Sequence, residues 1–233
     1  MRYNPKKLRH ELKYFIHYHQ YIELRERLQS VMQRDFFALE DGNYHVRSLY
    51  FDDAYDSALY EKSFGVFRRD KYRIRIYNKC DSRIKLERKS KYGQYIGKES
   101  VTLTRPQYDQ IMDHHFSSLF RSNNQLLMDF CLLSVNQVLR PKVIVDYERE
   151  AYITNPGEVR ITFDKMVRAG INSNDIFDGN LVTINAFHQP IMIMEVKFNE
   201  FLPENVRMLL QMDSHERAAI SKYVICRVIK KNI

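Results

Sequence analysis

The sequence predicts an α+β fold built on an eight-stranded antiparallel sheet closed into a barrel. The barrel should have a polar, basic lumen and helices packed outside. Three observations carry this. About eight segments alternate polar and apolar residues with a period of two, the period of a strand. They follow one another at hairpin-like spacing. Gly, at seven residues, and Pro, at six, are too scarce for a linker. One domain over residues 1–233 is therefore expected.

The first strand is expected over 8–16, where Arg9, Glu11 and Lys13 alternate with Leu8, His10, Leu12 and Tyr14. An amphipathic helix should follow over 19–33, from Ile22, Leu24, Leu28, Val31 and Met32. Residues 44–53 read as a strand and 54–64 as a short helix. The segment DKYRIRIY, 70–77, puts Lys71, Arg73, Arg75 and Tyr77 on one face and Tyr72, Ile74 and Ile76 on the other. Strands over 82–89 and 95–104 complete a meander, with turns at Asp81-Ser82 and Gly93. Residues 105–138 read as helical, with Thr104 as N-cap. Strands over 141–153 and 158–167 flank a turn at Asn155-Pro156-Gly157. An irregular stretch, 168–188, leads to a strand over 190–201, a helix from Pro203 to Met212 and a terminal helix over 218–232.

Composition narrows the function. The net charge is +8 and the pI about 9.3, which favours anionic partners. Cys80, Cys131 and Cys226 are far apart and odd in number, so neither a disulfide framework nor a zinc site is expected. The N-terminal stretch is basic and has no apolar signal core. The longest apolar run, 126–135, is too short to span a bilayer. A cytoplasmic protein is expected.

Each strand contributes cations of one parity. They are Lys13, then Arg73 and Arg75, Lys85 and Lys89, Lys98, Arg149 beside Tyr147, Arg160 with Asp164, and Lys197. Glu11, Glu87 and Glu195 recur among them. One wet sheet face would explain any single strand. An Arg- and Lys-dominated face on every strand points instead to an enclosed polyanion site. Phosphate oxygens would neutralise such a cluster. The acids among the bases suggest a divalent metal, which binds through one or two carboxylates plus phosphate oxygens.

These residues resemble a known family. HELKY at 10–14, RSLYFDD at 47–53, RIRIY at 73–77, LERK at 86–89 and GKES at 97–100 run in order. DYER at 146–149, VRITFD at 159–164, MEVK at 194–197 and SKY at 221–223 follow. Together they resemble the polyphosphate polymerase domain of the vacuolar transporter chaperone (VTC) complex, in the CYTH or triphosphate tunnel metalloenzyme superfamily. The resemblance implies a triphosphate tunnel that moves the ATP γ-phosphoryl group onto a growing polyphosphate chain with Mn²⁺ or Mg²⁺. On matching positions it implies phosphate contacts from Lys13, Arg73, Arg75, Lys89, Lys98, Tyr147, Arg149, Arg160, Ser221 and Lys222. It implies Glu195 as the main metal ligand, supported by Glu11 and Glu87. Lys85 and Lys197 join the set by strand parity. Lys222, on the terminal helix, would close one tunnel end. Any membrane protein would be a partner in trans.

Two other readings share these residues. A tunnel triphosphatase would use the same lumen with water as acceptor, on inorganic triphosphate or a nucleotide. A non-enzymatic protein would bind polyphosphate, or stack single-stranded nucleic acid on Tyr72, Tyr77, Tyr92 and Tyr95. Those tyrosines fit the apolar strand faces better, so no nucleic acid is expected. GQYIGKES, 93–100, does not open a helix and is not a phosphate-binding glycine loop. His17, His19, His114 and His115 read as surface residues, and Met192 and Met194 as sheet packing.

Overall fold

The computed structural model describes residues 9–35, 42–93, 95–211 and 217–232. Leu8 and Met212, ends of an expected strand and helix, lie outside these residues. In chain order the elements are β1 His10–His17, α1 Tyr18–Gln29, β2 Gln33–Arg34, β3 Asn43–Asp52 and α2 Ser57–Ser63. Then come β4 Arg68–Tyr77, β5 Cys80–Tyr92, β6 Tyr95–Leu103, α3 Arg105–Met112 and α4 Gln125–Asn136. The remainder is β7 Arg140–Thr154, β8 Val159–Gly170, β9 Thr183–Asn185, β10 Ile191–Phe198, α5 Glu204–Leu209 and α6 Lys222–Lys231.

Eight strands form one antiparallel path, β1-β10-β8-β7-β3-β4-β5-β6, with β2 and β9 added beside β7 and β8. The path is not closed by a ladder, and the expectation of a closed barrel is corrected here. The sheet curls until its edges touch at one antiparallel bridge, Arg9 to Ile96, with hydrogen bonds of 3.1 and 3.2 Å. Stagger is the reason. In that register, residues beyond His10 face the turn from β5 into β6, not the β6 strand. Side chains span the seam instead: Lys89 reaches Glu11 at 2.7 Å, and the His10 and Tyr95 rings lie 5.3 Å apart.

The convex face holds two apolar clusters. Tyr72, Ile74, Ile76, Ile84 and Leu86 pack under Ile111 of α3 and Phe130 of α4. Ile161, Phe163, Met194 and Val196 pack under Leu24 and Leu28 of α1 and Val206 of α5. A third cluster lies on the concave face, where Tyr50, Val145, Tyr147 and Ile193 enclose Tyr223 and Cys226 of α6. The helices are therefore not all outside: α6 plugs the concavity. An irregularity near Met166, at φ 51°, places Val167 and Ala169 in this cluster, opposite in parity to Asp164.

Local chemistry shifted other expected elements. The first hairpin turns at Asn78-Lys79, φ 52° and 54°, and Asp81-Ser82 lie within β5. Asn78 is tied in place, its Oδ1 accepting from His45 N–H at 2.9 Å. The helix expected over 105–138 is split. Thr104 caps α3 as predicted, left-handed His114 follows its end, and Asn124 Oδ1 caps α4 through Leu127 N–H.

Candidate active site

Strand parity puts one row of side chains from every long strand on the concave face. There they surround a cavity of about 1200 Å³. Among the described residues, sixteen Lys or Arg side chains line it against two carboxylates, Glu11 and Glu195. Arg73 and Arg75 are in this lining, with Lys13, Lys89, Lys98, Tyr147, Arg149, Arg160, Lys197, Ser221 and Lys222. Lys85 is not in it, although it shares their parity. Tyr77, on the same face of its strand as Arg73 and Arg75, lines the cavity, whereas Tyr72 is buried in the convex core.

The cations are arranged around five acids, Glu195, Asp164, Glu11, Glu87 and Asp35. Glu195 Oε1 accepts from Lys222 at 2.7 Å and lies 3.3 Å from Lys13. Its Oε2 accepts from Lys197 at 2.9 Å and lies 3.7 Å from Arg149. Arg149 grips Asp164 with two bonds of 2.6 and 2.8 Å, and Lys222 also contacts Asp164. Glu11 binds Lys89 and lies 3.5 Å from Lys13. The register explains the grouping, because Lys13 pairs with Glu195 and Glu11 with Lys197 across β1 and β10.

Arg73 donates to Glu87 at 2.7 Å and to the Tyr50 hydroxyl at 2.8 Å. Arg75 donates to Ser48 Oγ at 2.9 Å and to the Tyr147 hydroxyl at 3.0 Å. Lys98, half exposed, donates to Glu87 at 3.1 Å. Arg160 reaches Asp35 at 2.5 Å and Tyr44 OH at 2.9 Å.

Electrostatics follow from this packing. Burial pushes Glu195 up, but Lys197, Lys222, Lys13 and Arg149 overcome it and hold the carboxyl well below its usual range. Glu11 is lowered in the same way, against its burial, by Lys89 and Lys13. Burial opposes the charge on Lys13, yet Glu195 and Glu11 raise its pKa. Burial lowers Lys89 to about 8, despite Glu11. Tyr50 is lowered in spite of burial because Arg73 and Arg75 face it.

The three acids expected to bind a metal do not gather. Among the described residues no group of three His, Cys, Asp or Glu side chains converges. Glu87 is fully buried, outside the cavity lining, and fastened by Arg73 and Lys98 in the ligand-free protein. Glu195 and Glu11 face the cavity and share Lys13. That donor set suits a hard divalent cation that completes its shell with phosphate oxygens, as Mg²⁺ does.

Sequence reasoning missed Tyr44, Tyr50, Lys62, Arg69 and Arg217 as lining residues. Tyr44 and Tyr50 had a signal, since they share parity on β3. Lys62 and Arg217 come from a helix and a loop, where strand parity is silent.

The VTC domain model matches residues 8–229. No curated protein matches the chain significantly. The chain is similar to the PH1819 protein of Pyrococcus horikoshii OT3, at 13% identity, covering 96% of this chain and 99% of that one with a TM-score of 0.49. It is also similar to a putative adenylate cyclase of Bacillus halodurans, at 15% identity, covering 88% and 87% with a TM-score of 0.51. This second likeness is one of fold. With the family model spanning nearly the whole sequence, the chain belongs to the VTC domain family.

Proposed function

We propose that this chain is a metal-dependent phosphotransferase that moves the ATP γ-phosphoryl group onto the end of a polyphosphate chain. The observation that carries the reading is the imbalance in the cavity, sixteen cationic side chains against two carboxylates among the described residues. Membership of the VTC domain family supports it. The reading takes residues 1–233 as one such domain, working in the cytoplasm with any membrane protein as a partner in trans. Among the described residues no helix is long and apolar enough to cross a membrane.

In the chemistry proposed, a terminal phosphate oxygen of the chain attacks Pγ. The bond from Pγ to the β,γ-bridging oxygen breaks, and ADP leaves with that oxygen and its electron pair. Phosphoryl transfer needs positioning and charge stabilisation more than covalent help. Arg73, Arg75, Arg149 and Arg160 take the charge on the γ-phosphoryl oxygens. Lys13, Lys89, Lys98 and Lys197 hold the flanking phosphates, with Tyr147 and Ser221 as neutral donors. Lys222 covers the plugged end and keeps water from Pγ. Glu195 and Glu11 would hold a divalent cation, Mn²⁺ or Mg²⁺, which supplies charge neutralisation at the phosphate oxygens when bound. In the ligand-free protein the same acids stand in for phosphate as partners of the cations.

The test is product analysis. The purified chain is incubated with γ-labelled ATP and Mn²⁺ or Mg²⁺, with and without a short polyphosphate primer. Label in long chains, with ADP formed in step and both lost in Glu195→Ala, is the predicted result. Label only in free phosphate or pyrophosphate would assign a triphosphatase. Binding without turnover would make the chain a polyphosphate receptor.

A further inference from the structure

Lys71 lies in the same cavity in different company. Its ammonium donates to Oγ of Ser221, the N-cap of α6, at 3.2 Å and sits 4.8 Å from the centre of the Tyr223 ring in that helix. The charged groups that act on it most strongly are Lys89 of β5, Lys13 of β1, Lys62 of α2 and Arg69 of its own strand. No carboxylate stands among these leading neighbours. Burial and these cations push Lys71 down to about 7. Lys62 is similar, lowered by burial and by Arg69, Lys91 and Lys13. Arg69 has Glu61 as its acidic neighbour. Lys13 borders both groups, since it shares Glu195 with Lys197 and Lys222 while Lys71 has no carboxylate bonded to it among the described residues.

The cavity therefore has two regions of different chemistry. Around Glu195 and Glu11, cations and carboxylates are mixed. Around Lys71, like charges are packed together, which opposes folding unless an anion joins them. A nucleoside triphosphate arrives with a divalent cation, which asks for carboxylate oxygens as well as cations. A bare phosphate chain asks for cations alone.

We propose that Lys71, Lys62 and Arg69 form a separate phosphate subsite that holds a linear phosphate chain without metal, while the Glu195 region takes the metal-bound nucleotide. This rests on the phosphotransferase reading of the cavity. The acceptor enters, and the product grows, along the β4 end lined by Arg69 and Lys71.

The test is calorimetric titration of the intact chain at pH 8 with tripolyphosphate in a chelator, and separately with ATP and Mg²⁺. Each titration is run in two buffers of different ionisation enthalpy. In the wild type, tripolyphosphate binding should take up protons, because the anion recharges Lys71. Lys71→Met should lose about tenfold in tripolyphosphate affinity, the worth of one charge-assisted bond, and take up fewer protons than the wild type, Lys89 and Lys62 keeping their own share. Its affinity for ATP with Mg²⁺ should change less than threefold. Lys71→Arg should restore affinity with proton uptake as low as in Lys71→Met, since guanidinium is always charged. Equal losses for both ligands, or tripolyphosphate binding unchanged in Lys71→Met, would overturn the division. Polyphosphate synthesis is measured beside it. Synthesis with an unchanged Lys71→Met titration rejects the subsite alone, and the predicted titrations without synthesis reject the phosphotransferase reading alone.

Discussion

Lys222 Nζ lies 2.7 Å from Glu195 Oε1, so the first residue of the last helix meets the middle of β10 through one buried ion pair. Lys222 reaches it because α6 enters the concavity. Two further contacts fix that helix: Tyr223 donates to Asp52 at 2.5 Å and stacks on Tyr50 at 5.2 Å. Arg73 in turn donates to Tyr50. The plug and the cationic ring are thus one connected structure.

Glu195→Gln should destabilise the ligand-free protein by about 3 kcal/mol, because Lys222, Lys13 and Lys197 keep their charge and lose a shared carboxylate, which leaves Lys222 with Asp164 and Lys13 with Glu11. Metal-free tripolyphosphate should restore much of this. Chemical denaturation with and without the anion checks it. An unchanged midpoint in the variant would show that the pairs carry no net stability.

Arg73→Ala should slow turnover about a hundredfold, the usual cost of one lost donor to a developing charge. Steady-state kinetics of the folded variant reads this. The expected loss falls in kcat more than in KM, because the developing charge is greatest in the transition state.

Asp56 joins Lys142, Arg227 and Lys231 beside α2 and α6. Burial raises its pKa, but these three cations lower it from 3.8 to about 2. A depressed carboxylate stabilises the fold above its unfolded value, and the contribution fades as pH falls through the folded value. The two values differ by enough to contribute about 2 kcal/mol at neutral pH. Asp56→Asn should therefore be less stable than wild type above pH 4, with the gap closing between pH 4 and 2. Denaturant midpoints across that range measure it.

Tyr223→Phe should cost about 1–2 kcal/mol, because the buried Asp52 carboxylate loses one donor and keeps Leu59 N–H at 3.1 Å. Turnover should fall with it, since the seat of Lys222 loosens. Thermal denaturation and kinetics on the same preparation separate the two effects.

The basic parity of Arg73, Arg75 and Arg149 was legible in sequence because a strand has a strict period of two. Where a side chain sits on such a strand is settled by its neighbours in the alternation. The Asn78-Lys79 turn was not legible, since Asp81-Ser82 is an equally polar pair three residues on. Nor was the open seam, which depends on the stagger between the first strand and β6, far apart in sequence. Lys85 and Glu87 show the limit of parity. It selects a face, but whether a residue reaches the cavity depends on the packing above it. The place of α6 was hidden for a similar reason. Its apolar residues say that it packs, not on which side of the sheet.

The most direct measurement is a crystal structure of the chain with tripolyphosphate bound. The account predicts phosphates within the concave cavity, their oxygens within hydrogen-bond reach of Arg73, Arg75, Arg149 and Lys222. The carboxylate of Glu195 should then be released from at least one of its lysines. Tripolyphosphate bound on the convex surface, with Glu195 still holding Lys13, Lys197 and Lys222, would contradict it.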